Sequence, residues 1–65
     1  ESGELFYLLA VSHEMAGRPA LAKKNVEKSM DIFRDKQDEE SFKKALVLLQ
    51  SIAKKESGDN ETTHQ

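Results

Sequence analysis

The chain has 65 residues, 37% of them apolar and 34% charged, with a formal net charge of −2; it is one domain at most, near the size at which a lone hydrophobic core only just suffices. Having no cysteine, it holds no disulfide, cysteinyl zinc site or thiol nucleophile, and its two histidines lie too far apart in sequence for an ordinary metal site. Its longest apolar run, Leu5 to Val11, falls well short of the roughly 20 residues that cross a bilayer, and Glu1 and Glu4 stand where a secretory leader would be basic, so a soluble, intracellular, cytoplasmic module without cofactor is expected.

Ser2 is placed to cap a first helix predicted over about residues 3–16. Glu4 falls in its first turn, where a negative charge suits the helix dipole. Leu5, Phe6, Leu8, Leu9, Ala10, Val11, Met15 and Ala16 form a stripe wider than one buried face requires. Gly17 ends this helix as a C′ residue and Pro19 opens the next in its first turn. So short a connection makes the two helices antiparallel neighbours. The second helix is predicted over about 19–34. Ala22, Val26, Met30 and Phe33 share one face of it, flanked by Leu21 and Ile32. The opposite side carries Lys23, Lys24, Glu27, Lys28 and Asp31, several of which can pair three or four residues apart. The apolar-free run 35–38 is the next connection. It ends on Asp38, a good N-cap, with Glu39 and Glu40 in the following first turn.

A third helix is predicted over about 39–55. Phe42, Ala45, Leu46, Leu49, Ile52 and Ala53 follow the amphipathic spacing, widened by Val47 and Leu48, and Lys54 and Lys55 suit the negative end of the dipole. Residues 56–65 have no large apolar side chain to offset the entropy of ordering and are expected to form a disordered polar tail. The sequence therefore reads as an all-α, three-helix antiparallel bundle over residues 1–55. Its Asn60-Glu61-Thr62 triplet matches a glycosylation sequon, which matters only in a secreted chain.

No constellation points to catalysis. His13-Glu14 would open a His-Glu-x-x-His zinc helix only with a second histidine at position 17, which is Gly17. His13 is instead read as a packing residue. Ser12 and His13 point about 100° apart on a helix and make no nucleophile–base pair. The three glycines are isolated, so there is no phosphate-cradling loop. All ten basic residues lie between Arg18 and Lys55, against six acids in the same stretch. That excess is too sparse, and too poor in interleaved aromatics, for a nucleic-acid stripe. Arg18, Lys23, Lys24 and Lys28 gather near the start of helix 2, where they either hold an acidic or phosphorylated peptide or form a solvated face.

A repeat pattern carries the functional expectation. Phe6 opens helix 1, Leu9-Ala10 follows three residues on, His13 stands one turn later and Gly17 closes it. Ala22, Val26 and Ser29 then give a small, a large and a small residue at spacings of four and three. Over Gly3 to about Lys36 this resembles one tetratricopeptide repeat. Arg34 departs from it where the family has a helix-ending proline. Phe42, Ala45-Leu46 and Leu49 resemble the first helix of a following repeat, displaced by two residues, so that helix 3 is similar to the capping helix of such arrays. The resemblance implies that Phe6, Leu9, Ala10 and His13 face helix 2. It further implies that Glu4, Tyr7, Val11 and Glu14 line a concave, partner-binding surface, unless helix 3 covers them. Tyr7 and Val11 replace the lysine and asparagine of the family's carboxylate-clamp members, which disfavours chaperone tails and favours an apolar helix or peptide. The expected function is protein–protein interaction, as an adaptor or scaffold, the end of a longer helical array or a self-associating unit, and not an enzyme. The three-helix MIT domain, a trafficking adaptor that recognises short helical tails, is a weaker resemblance.

Overall fold

In the computed structural model, which describes the backbone of residues 2–64 and the side chains of residues 2–56, three helices follow in order. They are α1 (Gly3–Met15), α2 (Pro19–Asp35) and α3 (Glu39–His64). α1 packs on α2 and α2 on α3, whereas α1 and α3 meet sparsely. The chain is thus an all-α bundle with α2 as its central layer. No helix among the described residues is long and apolar enough to cross a membrane. α1 and α2 end within a residue of expectation, but α3 runs on past position 55 to His64. A helix already nucleated and packed gains one hydrogen bond for each residue it adds, without a new nucleation cost. The side chains of the expected polar tail lie, from Ser57 onward, outside the described residues.

Local chemistry sets the boundaries. The Ser2 hydroxyl accepts a hydrogen bond from the Leu5 backbone N–H at 3.2 Å, satisfying one of the orphan donors of the first turn. Two turns of one kind then join the helices. At the end of α1 the Gly17 N–H donates to the Glu14 carbonyl (3.2 Å) and the Arg18 N–H to that of His13 (2.8 Å). At the end of α2 the Gln37 N–H donates to Arg34 (3.0 Å) and the Asp38 N–H to Phe33 (2.9 Å). Both are Schellman motifs, whose C′ residue takes a left-handed backbone: φ is 76° at Gly17 and 59° at Gln37. The two sites predict opposite responses. A Cβ at Gly17 would meet nothing within 4 Å, so Gly17→Ala should cost only the backbone penalty, about 1 kcal/mol. Gln37→Gly should gain about 0.5 kcal/mol by relieving the same penalty. Urea denaturation of the two variants checks this, and shifts of the same sign would contradict it.

The core is made mostly of small residues. Ala10, Ala22, Val26, Ser29, Ala45 and Ile52 are all 0% exposed, and Gly3 is buried with them. Such residues let helix axes approach closely and admit larger neighbours. Tyr7, Met30, Phe33, Leu48 and Leu49 pack around them. The Ser29 hydroxyl donates to the Val26 carbonyl at 2.7 Å, so its burial leaves no polar atom unsatisfied. The helices also approach closely at Gly3, where an added Cβ would lie 2.7 Å from the Phe33 ring. Gly3 and Ala10, two turns apart, are thus the buried line of α1. Leu9, expected to face α2 with Ala10, is 39% exposed: adjacent helical residues point about 100° apart, so with Ala10 innermost Leu9 falls on the flank of the contact.

Candidate partner-binding groove

Because α1 and α3 lie on α2 without closing on each other, a groove of about 370 Å³ opens between them at the end where both helices begin. Tyr7, Leu8 and Phe33 supply its apolar surface. Glu4, Lys36, Asp38, Ser41 and Lys44 give it a rim of both charge signs. The Tyr7 ring sits where α1 meets α3, with the Lys44 ammonium 5.8 Å from its centroid, within cation–π range. Further along, Tyr7 also borders a shallow hollow against α3, lined there by the exposed Lys43, Lys44 and Val47.

Asp38 fixes the groove's α3 wall. It ends the turn after α2 and caps α3, its Oδ1 accepting the Ser41 N–H at 3.2 Å. Hydrogen bonds from the Ser41 side chain and backbone, with Lys36 and Lys44 nearby, hold its carboxyl below the ordinary value of 3.8. A carboxyl depressed on folding adds stability that is fully present above its unfolded value and is lost as pH falls through the folded one. The melting-temperature difference between the wild type and Asp38→Ala should therefore be constant near neutral pH. It should narrow in acid below pH 3.8; a difference unchanged from pH 7 to pH 2 would contradict the capping role.

The residues singled out from the sequence separate into two groups. Glu4 is exposed on the groove rim, and Tyr7 and Val11 are half-buried. Glu14 has a side chain only 13% exposed and pairs with Lys55, tying the end of α1 to α3. Covering by helix 3, the alternative weighed from the sequence, thus applies to Tyr7 and Glu14 in part, while Glu4 stays open. The basic set does not join them. Lys23 and Lys24 are exposed on α2, and the Lys28 ammonium lies 5.8 Å from the Phe6 ring centroid, on the opposite flank of α1 from Tyr7. Leu8, Phe33, Lys36, Ser41 and Lys44 were missed as groove residues. Their one sequence signal is the charge and apolar mixture around Asp38, which says nothing of how α3 sits until the interhelix angle is known.

A second, more open and more apolar hollow of about 880 Å³ lies between the end of α2 and the start of α3, lined by Phe33, Gln37, Phe42 and Leu46 among others. Among the described residues no group of three or more His, Cys, Asp or Glu side chains could hold a metal ion. Fold and groove together define an all-α, three-helix module with a mixed apolar and charged cleft. No protein-family model, curated protein or solved structure matches the chain.

Proposed function

We propose that the chain is a protein–protein interaction module, similar to a tetratricopeptide hairpin with a capping helix, that receives an amphipathic segment of another protein between α1 and α3. The observation that supports this reading is the groove itself: an apolar surface of Tyr7, Leu8 and Phe33 inside a rim of Glu4, Lys36 and Lys44. Such a site takes an apolar side chain while its charges orient the flanking residues. An adaptor or scaffold in the cytoplasm is the role that follows. The apolar hollow at Phe42 and Leu46 favours a second reading, an MIT-like adaptor that takes short helical tails against α2 and α3.

Selection of binders from a displayed library of helical peptides, followed by titration into isotope-labelled protein, tests both. Groove binding predicts amide shifts at Tyr7, Leu8 and Lys44, with affinity lost about tenfold or more in Tyr7→Ala. It also predicts less than a twofold change when Lys23, Lys24 and Lys28 are all replaced by Ala. Shifts confined to Gln37, Phe42 and Leu46 would favour the second reading, and a dependence on the three lysines would instead place an acidic ligand on α2.

A further inference from the structure

The charges of the chain are sorted by helix. Residues 41–55 hold four lysines and no acid, and all twelve acids lie outside that stretch. α2 shows what a solvated face looks like: Lys23, Lys24, Glu27, Lys28 and Asp31 mix the two signs at spacings where they can pair. Nor does the helix dipole account for Lys54 and Lys55, since α3 runs on to His64 and the dipole acts only within the last turn. At 100° per residue, Lys43 and Lys54 stand about 20–40° to one side of Val47, and Lys44 and Lys55 about 60–80° to the other. Ser51 falls between the two edges, while Ala45 and Ile52, buried in the core, lie about 140–160° away. All four lysines are exposed, and Val47 is 64% exposed. A strip with Val47 and Ser51 down its middle and two lysines along each edge thus faces away from α2. Lys43, Lys44, Val47 and Ser51 share one hollow with Tyr7. Lys55 reaches Glu14 and Lys44 lies over the Tyr7 ring, whereas Lys43 and Lys54 pair with no acid among the described residues.

We propose that the segment received between α1 and α3 is an acidic amphipathic helix. It lies along this strip with an apolar side chain over Val47 and carboxylates opposite Lys43 and Lys54 on one edge and Lys44 on the other. The inference rests on the groove reading and narrows it to the chemistry of the partner. From Lys43 to Lys55 the strip is about 18 Å long, room for about three turns of a partner helix. Lysines gathered without acids concentrate a positive field, which steers a carboxylate-bearing partner to the strip and repels a basic one. A carboxylate of α1 already meets the strip's edge in this way: the Glu14 side chain, 13% exposed, pairs with Lys55. A flat anionic membrane fits less well, because the apolar floor is recessed in a hollow and Glu40 stands on its wall.

Synthetic helical peptides of about 18 residues, about 27 Å long, test the charge. One carries leucine at spacings of three and four with glutamate elsewhere; its two counterparts have every glutamate replaced by glutamine or by lysine. Titrated into isotope-labelled protein, the glutamate peptide should bind about tenfold or more tighter than the glutamine one, and the lysine one should not bind. Raising the salt from about 20 mM to about 200 mM should remove most of that advantage. Amide shifts should centre on Lys43, Lys44, Val47 and Ser51. Lys43→Glu combined with Lys54→Glu, both at exposed positions, should weaken the glutamate peptide about tenfold or more and let the lysine peptide bind, with helicity unchanged. Lys23→Glu combined with Lys24→Glu on α2 should change the affinities by less than about twofold. A glutamine peptide that binds as tightly as the glutamate one, with shifts at Tyr7, Leu8 and Lys44, would overturn the proposal and leave the groove reading standing. An absence of shifts at those three residues with every peptide would remove both. Vesicles containing phosphatidylserine that bind through Lys43 and Lys54 where the glutamate peptide does not would overturn the proposal in favour of a lipid surface.

Discussion

Ile52→Ala is expected to lower the unfolding free energy by about 2–5 kcal/mol. Ile52 is the largest of the fully buried side chains, and its removal forfeits both its transfer free energy and the contacts around the space it leaves. A domain of this length has a total margin on the order of 3–10 kcal/mol. One truncation in α3 thus consumes about half of what holds all three helices together, because α2 loses part of one of its two packed faces. The sequence alone makes Leu49 an equally good candidate, since it lies near the centre of the predicted helix. It is only half-buried, at the edge of the core, so Leu49→Ala should cost less than Ile52→Ala. Chemical denaturation of the pair measures the ordering, and a reversal would mean that α3 is rotated about its axis from the position described.

Ala22→Leu should be comparably damaging for the opposite reason. Ala22 is 0% exposed in the core that also holds Ala10 and Val26. Three more carbon atoms have no place to go where the helices approach closely, and overpacking of this kind costs about 1–3 kcal/mol, occasionally more. By its gain in helix propensity alone the substitution would be nearly neutral, so the sign and size of the change report packing. A loss below about 0.5 kcal/mol would show that α1 and α2 stand further apart than the buried alanines imply.

Much of this architecture was legible from local chemistry. Ser2, Gly17, Pro19 and Asp38 each announce a boundary through a property of their own backbone or side chain, and each acts where expected. The grouping of Ala22, Val26 and Ser29 was equally readable, because small residues recurring on one helical face have few uses other than close packing. Gln37 was not readable as a left-handed residue: glutamine adopts that conformation only because the Schellman bonds on either side enforce it. Nor was the rotation of α1 legible. With apolar residues on nearly every side, periodicity does not say whether Ala10 or Leu9 is innermost. The contact between Gly3 and Phe33 decides it, thirty residues apart in the chain. The groove was half-visible for the same reason: Glu4 and Tyr7 follow from the repeat pattern, but Lys36, Ser41 and Lys44 join them only through the placement of α3.

The central claim is that α1 and α3 both lie on α2, with the glycine–phenylalanine contact at one end of the first pair and the cleft between the outer helices. A carbon-edited NOESY spectrum of the isotope-labelled protein tests it most directly. Cross-peaks should link the Gly3 α-protons to the Phe33 ring, with those protons shifted upfield by ring current, and the Tyr7 ring to the Lys44 side chain. A Phe33 ring that shows cross-peaks only to its own helix, with Gly3 at an ordinary chemical shift, would contradict the packing from which the groove follows.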